Sequence, residues 1–531
     1  MSTKTKSNVV TMSSSATDPD YLAIVARGLA KQEDTRRAPD AADQRRARVL
    51  DSVAHILVSH ARQVVAVGAL LNEPGSEGGV VLLVAENNTL QTTTTHLQAV
   101  LDRLRDIRAQ EPDPAASLFI PSYIDDNSPL PLKDRLVELE TFILAYSWPR
   151  LSNRFFKGSR ADNFVNTAED VCGPPADNRL DLSEEARRYL RVLQAYSEPI
   201  KDVEVYMVAV KELSKLMAAS TLEEEEEKSS RVAAAAKASR RYLYAIRGFL
   251  GVLDKNTIFH TAWDSYTLAR IKKEKATADS TAASFENTHA EDNKAADLDV
   301  RKPPNVHRWI SKFTSLCKHF RCLVISARSN TLGPMLLNAQ IRRVGTGGNG
   351  PRQFTINHGN LQDILVAAGY NMLATSDDAV RDLLVHLAGL YQTLISPQGD
   401  LAVSQPLFRH CECLVLTAGI HGRQAVPYVG VSKSCCAFCQ LYFAAYREVI
   451  GVMIYTRRGT HSQTSPWLFP SLDDPSADRL KAQFVEKLLA RIKEGWYEFR
   501  TPSANASQST DLSAEDDNDE RALVDMGILM P

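Results

Sequence analysis

The sequence predicts an α/β protein carrying a large, mainly α-helical region. Three observations lead to that class. An amphipathic helix and two β-branched runs stand near the N-terminus, helical periodicity dominates from about 130 to 275, and a short apolar strand near 430 lies between two helix starts. The 531 residues suit about two to four domains.

The elements follow in order. Residues 1–20 are polar and rich in Ser and Thr, and read as a disordered tail. In Arg45–Ser59, the residues Val49, Leu50, Val53, Ile56 and Leu57 recur at helical spacing and form one apolar face. VVAVGALL (64–71) and VVLLVAE (80–86) are strands by their β-branched content. The turn-forming NEPGSEGG between them makes a hairpin. A helix is expected over Leu90–Ala109, and Glu184–Glu198 and Lys201–Ala219 represent the helical middle. The five glutamates Glu223–Glu227 read as a solvated helix face or linker. Residues 276–299, rich in Ala, Thr, Ser, Asp and Asn, read as a flexible linker. Helix returns over Ile364–Leu394, so a long helix is expected directly before residue 405. An amphipathic helix, Ala477–Glu494, occupies 471–500, and 501–531 reads as a disordered acidic tail.

Composition narrows the class of function. With 44% hydrophobic and 24% charged residues the chain is neither fibrous nor wholly disordered. A net charge of −2 gives no global attraction for a polyanion. Locally the balance differs: 300–362 holds no Asp or Glu but ten basic residues (Arg301, Lys302, Arg308, Lys312, Lys318, Arg321, Arg328, Arg342, Arg343 and Arg352). That stretch is either a source of phosphate contacts or a basic surface paired with acids elsewhere. No apolar run is long enough for a membrane span, and the first residues lack the apolar stretch of a secretory signal. An intracellular protein, cytoplasmic or nuclear, is expected.

One motif is set aside. Gly345, Gly347 and Gly350 fit G-x-G-x-x-G, but Pro351 and an extended RQFTI follow where a dinucleotide site needs a helix. A glycine-rich hairpin loop is the expected structure, within a possible second hairpin Leu336–Ile356.

Chemistry concentrates in PLFRHCECLVLTAGIHGRQAVPYVGVSKSCCAFCQLYFAAY (406–446), which holds five of the eight cysteines. His410 and Glu412 stand at the start of a helical segment, 428–431 is a strand, and Cys436 and Cys439 are one turn apart at the start of another helix. One imidazole and two thiolates supply three tetrahedral ligands for zinc and leave the fourth position to water. Helix starts favour thiolates, and Glu412 is placed to carry a proton. The rival arrangement is a closed site of Cys411, Cys413, Cys436 and Cys439. Otherwise Cys411 and Cys413 are buried small hydrophobes, as Cys172, Cys317 and Cys322 are expected to be.

The order His-Cys-Glu, a strand ending Val-Gly-Val-Ser-Lys, then Cys-x-x-Cys resembles the fungal branch of the OTT_1508-like deaminases, in the cytidine-deaminase-like superfamily. RRGTHSQTSPW (457–467) resembles the segment that follows in that family. The resemblance is strong over about 60 residues. It implies a three-layer α/β/α core with a mixed sheet, one zinc ion per chain, and hydrolytic deamination of a cytosine or adenine base in a nucleotide or nucleic acid. It places the zinc ligands on His410, Cys436 and Cys439 and the proton shuttle on Glu412. Cys435 departs from the wider superfamily, where Pro is common, and is a competitor for the metal.

The hairpin at 64–88 resembles that of free-nucleoside cytidine deaminases. A split core is therefore expected: 43–88 gives the first helix and hairpin, 91–400 is a mainly helical insertion, and 405–470 is the catalytic half. Substrate-binding candidates are Asn88 (or Asn87), Lys433, His461 and Trp467, the last by stacking. Each has an ordinary alternative as a turn residue, solvated lysine or buried ring. The competing function is a catalytically inactive zinc-stabilised scaffold that binds protein or nucleic acid.

Overall fold

A computed structural model describes residues 14–29, 41–61, 63–72, 79–87, 92–109, 131–179, 181–220, 225–282, 305–345, 348–370, 377–433, 435–456 and 466–501. The chain forms two compact units. One takes in the described residues within Met1–Leu57, Gln63–Ala99 and Ser329–Leu512; the other takes in those within Val58–Arg62 and Val100–Arg328.

The first unit is built on a five-stranded mixed sheet, in the order β3 (Gln340–Arg343), β2 (Val80–Glu86), β1 (Val65–Leu71), β6 (Tyr428–Val431), β7 (Tyr455–Thr456). β1 runs antiparallel to both β2 and β6, while β2–β3 and β6–β7 are parallel pairs. β1 and β2 are buried along nearly their whole length, as strands covered on both faces must be. Side chains alternate between two cores. Ala66, Leu70, Val81, Leu83, Ala85, Val429 and Val431 share a core with Cys411, Val415, Leu416 and Ile420. Helix Ala41–Ile56 packs against β1 and β6.

Two glycines permit this layering. A Cβ on Gly68 would stand 2.7 Å from Val415 Cγ1, and one on Gly430 would stand 2.3 Å from the backbone carbon of Leu50. Asp51 fixes the second contact, accepting from Val431 N at 2.9 Å and from the Tyr428 hydroxyl at 3.0 Å. Thus the hairpin β1–β2 and the strand at 428–431 share one sheet, although more than three hundred residues separate them.

Several expectations need correction. Residues 340–343 and 348–356 do not pair as a hairpin. The first joins β2, whereas β4 (Gly348–Ile356) pairs antiparallel with β5 (Leu401–Phe408). β5 also replaces the long helix expected directly before His410: helices His358–Ala367 and Asp377–Tyr391 end first, and Ser396–Asp400 turns the chain. The polar N-terminal tail was drawn too long, because Ser14–Thr17 and Pro19–Leu29 are helical. Leu22, Ile24 and Val25 are buried in the first unit's core with Leu480, Phe484 and Leu488 of helix Ala477–Arg500. The helical region is narrower than 91–400, since 329–400 belongs to the first unit. Residues 276–282 of the expected linker are helical, as the end of helix Thr257–Ala282, and 283–299 lie outside the described residues.

Every described element of the second unit is a helix, and its aromatic core places Phe164 5.2 Å from Trp263 and 5.4 Å from Phe249. Its buried acid Glu140 accepts from Arg240 Nε at 2.5 Å and from the Tyr244 hydroxyl at 2.6 Å. No described helix in either unit is long and apolar enough to cross a membrane.

Candidate metal centre

His410 closes the link after β5 and is the N-cap of helix Cys411–Leu414, which continues as a π-helical turn over Val415–Ile420. Cys436 is the N-cap of helix Ala437–Ile450, and Cys439 lies in its first turn. Both starts sit at one end of the sheet because β6 delivers the chain to Ser432. That residue is locked to β1 in both directions: Ser432 N donates to Val65 O, and Val65 N donates to Ser432 Oγ, both at 2.9 Å.

The three donors converge. His410 Nδ1 is 3.4 Å from Cys436 Sγ and 3.2 Å from Cys439 Sγ, and the two sulfurs are 3.4 Å apart. His410 Nε2 lies 3.2 Å from the Pro466 carbonyl. A carbonyl only accepts, so Nε2 carries a proton, which leaves Nδ1 facing the thiols and, once deprotonated, able to ligate a metal. Trp467 Nε1 donates to Cys439 Sγ at 3.3 Å. Tetrahedral zinc with these ligands needs donor–donor edges of about 3.5–3.8 Å. The set would have to open by about 0.3 Å to hold such an ion.

The electrostatics agree with a cation among these donors. Burial pushes the Cys436 and Cys439 thiols well above their ordinary value, so something positive is needed to hold them as thiolates. For His410 burial opposes charging, but Cys439 and Cys436 outweigh it and raise the imidazole well above 6.5. A metal ion held here would displace protons from these groups.

Glu412 Oε1 is 4.0 Å from His410 Nδ1, and its residue is buried. Its carboxylate also falls in a second donor set with Cys435 and Cys439, all within 4.8 Å. The four-thiolate alternative is not assembled. Cys411 Sγ instead donates to Val64 O at 3.4 Å, while Cys413, raised to about 11 by burial, stays hydrogen-bonded to Cys439. All five thiols here are free and buried.

The remaining sequence candidates fare differently. Trp467 is no stacking wall: it is 1% exposed and enclosed by rings, with Phe484 at 4.8 Å and Tyr442 at 6.1 Å. Its role is to donate to a thiol, which no spacing rule announces. Asn87 holds the strand end, accepting from Val64 N at 2.7 Å. Lys433 is exposed beside this end of the sheet. Asn88 and His461 lie outside the described residues. The basic stretch is divided between the units, and Arg343 pairs with Glu86 at 3.1 Å and Arg352 with Asp20.

Sequence reasoning also missed Pro466 and Glu86. The first acts through its backbone. The second is a buried acid in an apolar strand, a signal that was present, and it accepts from Thr93 Oγ1 at 2.5 Å as well as from Arg343.

Residues 409–471 match the model of the OTT_1508-like deaminase family. No curated protein and no solved structure matches the chain.

Proposed function

From a chain that carries an OTT_1508-like deaminase segment, of cytidine-deaminase-like kind, over residues 409–471, we propose a zinc-dependent hydrolytic deaminase acting on a cytosine or adenine base in a nucleotide or nucleic acid. The observation that carries this reading is the placement of one buried carboxylate beside a three-donor centre. His410 Nδ1, Cys436 Sγ and Cys439 Sγ stand within 3.2–3.4 Å of one another, and Glu412 Oε1 is 4.0 Å from the same nitrogen. An imidazole with two thiolates suits zinc and not magnesium or calcium. When bound, zinc supplies the Lewis acidity that makes water a nucleophile near neutral pH.

The chain's own residues do the rest. His410 is kept in one tautomer by the Pro466 carbonyl, and Trp467 holds Cys439 by its indole N–H. The Glu412 carboxylate accepts the proton of the attacking water. It passes that proton to the ring nitrogen beside the amidine carbon, then delivers one to the departing amine, so that water and base become carbonyl and ammonia. Burial removes competing water from this transfer.

A second reading draws on the overlapping set Glu412, Cys435 and Cys439. A metal held there would occupy the carboxylate and leave an inactive, zinc-stabilised scaffold. Glu412→Gln separates the two. For the enzyme, ammonia release from cytosine or adenine substrates falls at least about 100-fold, with metal content unchanged. For the scaffold, the same substitution lowers metal content. If the wild-type protein turns over no free or polymeric substrate while binding one zinc through His410, the deaminase reading fails.

A further inference from the structure

The helical unit holds a strip of basic side chains on two packed helices. Helix Trp148–Phe156 carries Arg150 and Arg154, and helix Val306–Phe313 carries Arg308 and Lys312, each pair one turn apart on one face. The helices meet through rings: Phe155 lies 5.9 Å from Trp309 and 5.5 Å from Phe313. Arg154 Nη1 donates to the Lys312 carbonyl at 2.8 Å and lies 3.4 Å from Ser315 Oγ. Its head therefore sits at the C-terminal end of the 306–313 helix. One turn back is Arg308, and its helix packs against helix Arg160–Cys172, of which Arg160 is the first residue.

The charges repel. Burial, then the Arg308 charge, lowers Arg160; burial, then Arg154, lowers Arg150 well below its ordinary value. Arg154 is brought down to about 10 by burial. Lys157, Arg160, Arg308 and Lys312 are exposed. Among the described residues, no carboxylate forms an ion pair with Arg154, Arg160 or Arg308. Asp162 stands in the same turn as Arg160. Asp264 takes the Val306 amide at 3.0 Å, and Asp254 lies 3.1 Å from His307 Nε2. Arg154, Arg160 and Arg308 together keep a surplus of positive charge.

We propose that Arg154, Lys157, Arg160, Arg308 and Lys312 bind the phosphate backbone of a nucleic-acid strand. The arrangement suits a backbone better than one phosphate. The Arg160–Arg308 end and the Arg154–Lys312 end are about 6 Å apart along the 306–313 helix, four residues at about 1.5 Å each, so the two ends address separate phosphates. Such contacts position a strand without reading its sequence. The assignment does not rest on turnover at Glu412.

The test uses the full chain and a labelled single-stranded RNA 20-mer, with fluorescence anisotropy across a salt series. Arg160→Gln/Arg308→Gln/Lys312→Gln removes three exposed charges. Lys201→Gln/Lys237→Gln/Lys272→Gln removes three exposed charges elsewhere in the same unit. Unfolding curves confirm that both variants fold. The strip variant is expected to bind at least about 10-fold more weakly. Its slope of log affinity against log salt should be shallower by about 2, from about 0.7 per single-strand phosphate contact. The control should stay within about twofold of wild type. Equal losses in both variants, or no wild-type binding at low salt, overturn the proposal. Displacement of the RNA by tripolyphosphate as readily as by unlabelled RNA, at equal phosphate, also overturns it and assigns a free-phosphate site.

Discussion

Glu140 in the helical unit and Glu412 in the sheet unit are almost equally buried, at 1% and 4% exposure, yet their surroundings differ in kind. Both oxygens of Glu140 are taken, one by Arg240 and one by the Tyr244 hydroxyl. Glu412 faces an imidazole nitrogen at 4.0 Å and a group of thiols instead. A buried carboxylate with a donor on each oxygen has a structural task. One that stands beside a donor set, without saturating partners, keeps its oxygens open to a water or a metal. Glu86, 2% exposed and held by Thr93 and Arg343, belongs with Glu140.

The comparison can be broken most directly at Glu140. Glu140→Ala leaves the half-enclosed Arg240 without its counter-charge and should cost about 3–5 kcal/mol in denaturant unfolding. Glu412→Gln should cost less than about 1 kcal/mol in the same assay. If the two losses are equal, the structural and working acids are not distinct. Next in size is Gly430→Ala. Its Cβ meets the backbone of Leu50, which cannot move aside as a side chain can, so a loss of about 1–3 kcal/mol is expected. Because β6 leads to Cys436, metal content measured on the same sample should fall as well.

Trp467→Phe keeps most of the ring packing and removes the donor to Cys439. It should weaken metal affinity by about 10-fold in a chelator competition. An unchanged affinity would reduce Trp467 to packing alone. The smallest effect concerns Asp474, whose carboxyl is held below 3.8 mainly by its hydrogen bond to His421. A depressed carboxylate contributes stability above its unfolded value and loses it as pH falls through the folded one. The melting difference between wild type and Asp474→Asn should therefore be steady down to about pH 5 and close below about pH 3.8.

The centre was legible to the extent that its donors are close in sequence and stand at helix starts. His410, Glu412, Cys436 and Cys439 needed only spacing and donor chemistry to be singled out. Trp467 was legible as part of a segment but not in its direction. Whether an indole faces solvent or a sulfur depends on Phe484 and Tyr442, which lie elsewhere in the chain. β5 was hidden because SQPLF interrupts any clean alternation, and its pairing partner β4 begins in the glycine-rich stretch that read as a loop. The N-terminal helix was lost for a similar reason. PDYLAIVARGL is strongly apolar, but the boundary was drawn on the Ser/Thr-rich residues before it.

By itself the sequence determined what is local: the first helix, the two strands of the hairpin, the donors and their chemistry. Those follow from periodicity and side-chain type, which act over a few residues. The tertiary structure decided what joins what. It set β1 beside β6, sent 340–343 and 348–356 to different sheets, turned Cys411 away to Val64, and aimed the Trp467 indole at Cys439. Such choices depend on close approach between distant backbones, as at Gly68 and Gly430, and on which buried polar atoms must find partners. Neither quantity is written in any short stretch of residues.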